Sequence, residues 1–461
     1  MRKIKHDLGL RLMKMLDVIL MTLPFLGCWF GYYAERIAVP YYKMGNWAIV
    51  GVFVIVFIIF ARVYDAFRIS ENDIVEMIYS QGLAVFISDG FLFLVIWLLT
   101  RTFPNLLPGL AALALQVLIA SVWSVVAKKW YYKSFPPKKS AIIYGGQYSL
   151  EKLIREYGLE KKFDIQLSIA AEQCAQDLSV ISGMDTVFIS GVQSHTRNII
   201  LKYCVAWGID VYVLPRIGDI IMSGAVKMHM FHLPMLRVGR CNPYPEQRLL
   251  KRLFDIVFSL CVLLVASPVM IVTAIAIKLT DGGPVFYKQQ RLTKNGKVFN
   301  VLKFRSMRVD AEKDGVARLS TGDKDDRITP VGRIIRKVRI DELPQLLNIL
   351  GGSMSVVGPR PERPEIAKQY EETLPEFSLR LQVKAGLTGY AQVYGKYNTT
   401  PYDKLQMDLM YIANPSFIED LRIVFATIKI VFIPESTDGV AEGQTTAATE
   451  NNEQEKELQN V

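Results

Sequence analysis

Cysteine and histidine are scarce in this chain, five and four residues respectively among 461. Cys28, Cys174, Cys204, Cys241 and Cys261 are scattered, odd in number and form no CxxC pair, which argues against a disulfide framework and against a zinc site. Charge is also sparse. Only 21% of residues are charged against 51% hydrophobic, and the mean hydropathy of +0.22 excludes an intrinsically disordered chain. No basic, aromatic-interleaved module appears, so nucleic acid is a poor partner. No small-residue cleavage site follows the first apolar stretch, which argues against a cleaved signal peptide. What remains is apolar length and a surplus of cations. The net charge is +10, from 54 Lys and Arg against 44 Asp and Glu, which in a membrane protein suits a cytoplasmic face and anionic lipid or phosphate partners.

Four apolar stretches occupy the first third, at residues 15–34, 48–63, 82–99 and 110–127. Each approaches the ~20 residues that cross a ~30 Å hydrocarbon core as helix. Arg2, Lys3, Lys5, Arg11 and Lys14 precede the first, and Lys128, Lys129, Lys133, Lys138 and Lys139 follow the fourth. The excess of Lys and Arg at both ends predicts that both ends lie in the cytoplasm. Trp123, Trp130, Tyr131 and Tyr132 suit an interfacial belt at the exit.

After a Pro136-Pro137 linker the pattern changes to short apolar runs alternating with helical ones: strands at 141–144, 165–170, 186–190 and 211–214, helices at 150–157 and 198–207. That alternation predicts a small parallel α/β sheet. The turn Gly145-Gly146-Gln147-Tyr148-Ser149 lacks the full GxGxxG of a dinucleotide site and reads as a tight strand-to-helix turn. His229 and His232 are three apart and could share a helix face, but no third ligand lies nearby.

A fifth apolar segment, residues 253–277, is interrupted by Ser267-Pro268. Proline removes one backbone donor and kinks a helix. Arg248, Lys251 and Arg252 lie before the segment, and Lys278, Lys288 and Arg291 after it. A crossing would put one of these clusters outside, against the charge rule. A helix that enters, bends at Ser267-Pro268 and leaves on the same side satisfies both facts. The Ser267 hydroxyl is then expected to bond a carbonyl freed at the bend, and Asp255 to pair with Lys251 four residues earlier. A kinked fifth crossing is the alternative.

Residues 280–401 are rich in Gly, Pro and clustered charge. A strand at 298–304 would turn Lys303 and Arg305 to one face, a two-cation surface suited to phosphate. Arg333, Arg336, Lys337 and Arg339 precede Asp341-Glu342-Leu343-Pro344-Gln345. The proline fits a first helical turn. Asp341 and Glu342 then either cap that helix or form a carboxylate pair able to bind a divalent cation and offer a nucleophilic oxygen. Arg336 and Arg360 could neutralise phosphate oxygens. Prolines on both sides of Arg360 stiffen its turn.

Four motifs, Lys303-Phe304-Arg305-Ser306-Met307, Asp341-Glu342-Leu343-Pro344-Gln345, Gly358-Pro359-Arg360-Pro361 and Thr388-Gly389-Tyr390-Ala391-Gln392-Val393, stand in the order and approximate spacing of the bacterial sugar transferase family. These are the monotopic phosphoglycosyl transferases, or polyprenyl-phosphate hexose-1-phosphate transferases. The resemblance covers about residues 245–434. The broken helix is similar to the family's re-entrant membrane helix. The four helices and α/β domain resemble the larger members, whose middle domain is likened to a CoA-binding fold. The resemblance implies a two-step reaction. Asp341 attacks the sugar-bearing phosphorus of a UDP-sugar and releases UMP, and the phosphosugar then passes to a polyprenyl phosphate, opening exopolysaccharide, capsule or O-antigen-type assembly. It implies Mg²⁺ held at Asp341 and Glu342, with Lys303, Arg305, Arg336 and Arg360 on phosphate. Lys396 departs from the pattern, where many members have Arg, and loses the bidentate fork.

The expected architecture is therefore a membrane protein in four parts. These are a four-helix transmembrane bundle (1–134), a small α/β parallel-sheet domain (138–240), a re-entrant helix with an α/β-type catalytic domain (245–434), and an acidic disordered tail (435–461). Residues 411–432 read as an amphipathic segment, packed or lying on the membrane. The expected location is the bacterial inner membrane, with the catalytic domain and both termini cytoplasmic. The expected partners are UDP-sugar, polyprenyl phosphate, the bilayer and, beyond these, a homo-oligomer or assembly enzymes. Two other functions remain open on sequence. One is a membrane-anchored nucleotide-sugar dehydratase, which needs a Gly-rich dinucleotide turn and a Tyr-xxx-Lys pair. The other is a non-enzymatic assembly scaffold whose carboxylates only cap a helix.

Overall fold

The computed structural model describes residues 2–41, 44–145, 154, 159–309, 327–395 and 399–431. The chain divides into two compact units, Met1–Leu214 and Pro215–Val461. The tail 435–461, Lys396, the turn beyond Gly145 and nearly all of the 150–157 segment lie outside the described residues.

In the first unit, helices α1 (Arg2–Cys28), α2 (Gly45–Val63), α3 (Ile74–Thr100) and α4 (Leu107–Ser134) pack in a ring, each against the next and α1 against α4. All four are long and apolar enough to cross a membrane. Their surfaces are mostly exposed and apolar, with Ile55, Leu98, Leu118 and Val122 more than half exposed. Buried polar contacts join the helices. Gln81 on α3 donates to both oxygens of Asp17 on α1 at 3.1 Å, and Gln116 on α4 donates to the Met21 carbonyl at 3.0 Å. Such bonds tie helices together where apolar contact alone does not discriminate between neighbours.

Four strands follow: β1 (Lys138–Tyr144), β2 (Phe163–Ala170), β3 (Thr186–Ser190) and β4 (Asp210–Val213). They form one sheet in the order β2-β1-β3-β4, parallel throughout. Helix α5 (Ser194–Trp207) is the crossover from β3 to β4 and buries Ile200 and Cys204 against Ile143, Val187 and Ile189. A Cβ at Gly145 would come within 2.6 Å of the Gly191 carbonyl. Close backbone approach therefore requires this glycine.

The second unit opens with α6 (Ile217–Ser223), whose Ile220 enters the core of this unit. A hairpin follows, β5 (Val226–Met230) and β6 (Leu233–Arg237). His229 is thus on a strand, and His232 in the turn with φ 61°, rather than the two sharing a helix face. Helix α7 (Pro245–Asp281) runs continuously through Pro268. Proline at 268 cannot donate to the Leu264 carbonyl, and the Ser267 hydroxyl bonds that carbonyl instead at 2.8 Å. Its burial pattern is inside-out. Asp255, Ser259 and Thr273 are buried, whereas Leu264, Val265 and Leu279 are more than three-quarters exposed. Asp255 accepts from Ser355 Oγ at 3.0 Å and from the Val356 N–H at 2.9 Å. Lys251 does not hydrogen-bond Asp255; its ammonium reaches Asp420 at 2.8 Å, Tyr411 OH at 2.9 Å and the Val357 carbonyl at 3.1 Å.

Strands β7 (Phe286–Leu292) and β8 (Val298–Phe304) pair antiparallel. Helices α8 (Pro330–Lys337) and α9 (Gln345–Leu350), strand β9 (Ser355–Val357), helix α10 (Pro364–Thr373) and strand β10 (Gly386–Thr388), parallel to β9, lead to α11 (Pro401–Ala413) and α12 (Phe417–Val431). Among the described residues the sheet content is slight, two strand pairs besides the hairpin, and the core is built mainly from helices around Leu346, Ile349, Val356, Tyr370, Phe377 and Leu409. The 411–432 segment is not one helix. It breaks at 414–416 between α11 and α12, and α12 packs inward through Ile423, Val424 and Asp420.

Candidate active site

Thr329 caps α8 by accepting from the Gly332 N–H at 2.9 Å. The helix ends at Val338, and Arg339 adopts φ 57°. A non-glycine residue in the left-handed region costs roughly 1–2 kcal/mol. It reverses the chain into a single 3₁₀ turn, Ile340–Glu342, just ahead of α9. Pro344 stands at the N-cap of α9, and no side chain caps that end. Neither carboxylate of the acid pair therefore serves as a helix cap.

Asn348 on α9 locks this turn beside β8. Its Oδ1 accepts from the Leu302 N–H at 2.9 Å, and its Nδ2 donates to the Asn300 carbonyl at 2.8 Å. Lys303, the next residue of β8, thereby faces Glu342 and donates to its Oε1 at 3.0 Å; Arg360 donates to the same oxygen at 2.9 Å. Burial pushes Glu342 up, but Lys303 first and Arg360 next outweigh it and hold the carboxyl well below its usual range. Asp341 is only 8% exposed. No hydrogen bond or ion pair among the described residues engages its carboxylate. Burial, then the charge of Glu342, raises its pKa, opposed by Lys303, Arg336 and Arg339. One acid is thus neutralised and fixed, and its neighbour is left unbonded facing cations. Burial lowers the pKa of Lys303 against the pull of Glu342, and Glu342 raises that of Arg360.

The Arg360 loop is gripped from behind. Arg380 donates to the Arg360 carbonyl at 2.9 Å, and Arg291 to the Pro361 carbonyl at 3.0 Å. Arg380 is itself paired with Asp408 at 2.7 Å, both almost fully buried, while Glu362 lies 3.6 Å from Arg380 and 3.8 Å from Arg291. Gly358 donates to the Thr388 carbonyl at 2.8 Å and Gly386 to the Pro359 carbonyl at 2.9 Å. A Cβ on Gly358, Gly386 or Gly389 would fall within 2.3 Å of backbone atoms of the facing segment, so the two distant motifs are one structural unit.

Asp341, Glu342, Lys303, Arg336 and Arg360 come together. Arg305 follows β8 rather than lying in it; it is buried, and its guanidinium covers Gly283, where a Cβ would lie 2.3 Å from it. Ser267 and Pro268 act on α7, as described above. Arg339 and Arg380 join the site without belonging to any of the four motifs. The first shows in sequence only as one cation in a run, and the second not at all, because its partners come from residues 360, 362 and 408. Gln392, inside the fourth motif, has both amide atoms buried and, among the described residues, no hydrogen-bond partner.

The chain belongs to the bacterial sugar transferase family, whose model matches residues 246–434. It is 38% identical over 234 residues to a UDP-N-acetylgalactosamine-undecaprenyl-phosphate N-acetylgalactosaminephosphotransferase of Aeromonas hydrophila, covering 50% of this chain and 54% of that protein. It is 45% identical over 188 residues to the exopolysaccharide production protein PSS of Rhizobium leguminosarum bv. phaseoli, covering 39% of this chain and 93% of that one. Over 212 residues it is 40% identical to the UDP-glucose:undecaprenyl-phosphate glucose-1-phosphate transferase of Escherichia coli, covering 45% and 44%. The matched region thus spans about half the length of the first and third of these relatives.

Proposed function

We propose that the protein transfers a sugar-1-phosphate from a UDP-sugar to a polyprenyl phosphate through a phosphosugar on Asp341. The observation that carries this reading is the division of labour between two adjacent acids: Glu342 is held by Lys303 and Arg360, while among the described residues the Asp341 carboxylate has no bond. In the first step an Asp341 oxygen forms a bond to the sugar-bearing phosphorus, and the bond from that phosphorus to the bridging oxygen breaks, releasing UMP. In the second, a phosphate oxygen of the polyprenyl phosphate attacks the same phosphorus and frees the Asp341 carboxylate. A carboxylate approaching a diphosphate is repelled, and Arg336, Arg339 and Arg360 offset that repulsion where charge develops. Arg291 and Arg380 hold the Arg360 loop in place for it.

A hard divalent cation such as Mg²⁺ would take the Asp341 carboxylate and Oε2 of Glu342, because Lys303 and Arg360 both donate to Oε1. Among the described residues no group of three or more metal-binding side chains is present, and two neighbouring carboxylates with substrate oxygens completing the sphere is the usual Mg²⁺ arrangement. Asp341 and Glu342 would hold the ion, which would supply positive charge to the diphosphate.

The membrane placement follows from α7. Its first turns bond the soluble core through Lys251, Arg252 and Asp255, and its last turns pack Ile277 against Phe304 and Ile335. A helix with both ends on one polar domain, and an apolar exposed surface between, supports entry and exit on one face of the bilayer, the cytoplasmic face by charge. A membrane-impermeant thiol reagent should label Glu246→Cys and Lys288→Cys from the same side. Labelling from opposite sides restores the crossing helix. The scaffold reading requires capping carboxylates, which these are not. The dehydratase reading requires its chemistry in the α/β domain, whereas the family match falls on residues 246–434. The deciding experiment is Asp341→Asn assayed for UMP release from a panel of UDP-sugars with polyprenyl phosphate and Mg²⁺. Release should vanish with the fold intact, and unchanged release overturns the nucleophile.

A further inference from the structure

A cavity of about 160 Å³ lies in the helical bundle of the first unit, at the end away from Arg2 and Ser134. Its walls are the last turns of α1, the later half of α3 and the first turns of α4. Phe86, Leu106 and Leu110 line it and are 45–60% exposed on the apolar outer surface of the bundle, so entry is from the lipid side. Phe25, Tyr33, Phe86 and Phe93 give it four aromatic rings. Here α1 loosens into a single π turn, Trp29–Tyr33, an irregularity that recurs at functional sites. Tyr33 is tied back, donating its hydroxyl to the Asn105 carbonyl at 2.7 Å. The acid in the wall is Asp89 on α3. Both of its carboxylate oxygens are buried, and among the described residues neither accepts a hydrogen bond. Gln116 on α4 is a polar neighbour, but it gives an amide N–H to the Met21 carbonyl at 3.0 Å. Asp17 in the same bundle, by contrast, takes two bonds from Gln81. An acid among membrane helices is costly without a partner and marks a functional site.

We propose that this cavity binds the ammonium group of an apolar primary amine dissolved in the membrane, with Asp89 as its counter-charge. Three features select that class. A carboxylate only accepts hydrogen bonds, so its partner must bring donors, and an ammonium brings three. Aromatic rings attract a cation through their quadrupole. A cavity of about 150 Å³ holds one benzene ring, so the bound amine carries a group of about that size inside the wall, and a longer tail leaves past Phe86 and Leu110 into lipid. No Lys or Arg lines the cavity. The phosphate of an aminolipid head group therefore finds no partner there, which favours a free amine.

The test uses the full chain in nanodiscs and reads Cys28, which lines the same cavity and is partly exposed. Hexylamine should slow its alkylation by N-ethylmaleimide, scored on the Cys28 peptide by mass spectrometry. Hexan-1-ol, of equal length but uncharged, should not, and alkylation of the exposed Cys261 should change with neither. Asp89→Asn should raise the amine concentration needed for protection by about 10- to 100-fold, as loss of a bond between charged groups requires. A Cβ at Gly90, also in the wall, meets nothing within 4 Å. Gly90→Leu therefore fills the cavity without displacing a neighbour; it should abolish protection with no fall in melting, and it serves should Asp89→Asn fail to fold. Absence of protection in the wild type, equal protection by hexan-1-ol, or unchanged protection in either variant overturns the proposal. So does protection by a short-chain phosphatidylethanolamine but not by hexylamine, which would assign the cavity to a lipid head group instead.

Discussion

The Arg380–Asp408 pair offers a prediction that separates stability from positioning. Both side chains are at most 3% exposed, Arg380 binds Asp408 through Nε at 2.9 Å and Nη2 at 2.7 Å, and Nη2 also donates to the Arg360 carbonyl at 2.9 Å. Asp408→Asn keeps the shape but leaves a buried guanidinium without its closest counter-charge, with only the Glu362 carboxylate at 3.6 Å remaining. Removing one partner of such a pair costs about 3–5 kcal/mol. For a unit of this size, melting falls about 2–4 °C per kcal/mol, so the loss should be roughly 6–20 °C. UMP release should fall about tenfold or more, because the loosened loop misplaces Arg360. Replacing both partners together, Arg380→Met with Asp408→Leu, removes the charges as a set and should bring stability back to within about 2 kcal/mol. It should not restore the rate, since the Arg360 carbonyl still lacks its donor. The assay is thermal unfolding in detergent beside single-turnover UMP release. Wild-type melting and wild-type rate in Asp408→Asn would refute the reasoning. Full recovery of rate in the double variant would show that Arg380 does not position the loop.

Asp341→Asn should melt higher than wild type at neutral pH. The folded pKa of Asp341 is raised above 3.8, so its ionised form destabilises the fold increasingly as pH rises from about 3.8 through the folded value; the two melting curves should converge below pH 3.8, and convergence at pH 7 instead would refute the assigned burial. Glu342 has the opposite sign. Its folded pKa lies well below 4.5, so the stability from its pairs with Lys303 and Arg360 is complete above pH 4.5 and should be lost on acidification below it, a loss that Glu342→Gln should not show. Arg360→Lys removes the 2.9 Å bond to Glu342 and should lower UMP release by about 10- to 100-fold, the worth of a charge-assisted bond; an unchanged rate would remove Arg360 from the site. Gln392→Met replaces a buried amide that has no partner among the described residues and should leave stability unchanged or raised by about 1–3 kcal/mol. Turnover should fall if that amide contacts substrate, as steady-state kinetics would report.

Features that depend on neighbouring residues are legible in the amino-acid order alone. The strand at 298–304, the parallel sheet, the apolar helices and the acid pair ahead of Pro344 each depend on periodicity, on a proline's fixed φ or on a run of like side chains, which are local properties. Ser267 and Leu264 belong to this class, because a freed carbonyl and the hydroxyl that satisfies it are three residues apart. Tertiary structure decided the partners. Lys251 stands at helical spacing from Asp255, yet it bonds Asp420, 169 residues away. Arg305, one residue beyond β8, has its guanidinium over Gly283, a neighbour 22 residues back in the chain. Which acid is neutralised and which left unbonded depends on Lys303 and Arg360, which lie 39 and 18 residues from Glu342. Arg380, the backbone contacts that join the 358–361 and 386–389 segments, and the two-sided packing of α7 have no local signature. Spacing along a chain constrains which groups share a helix face or a strand face, but the Coulomb energy that selects a nucleophile falls off with distance through space, and only the folded core sets that distance.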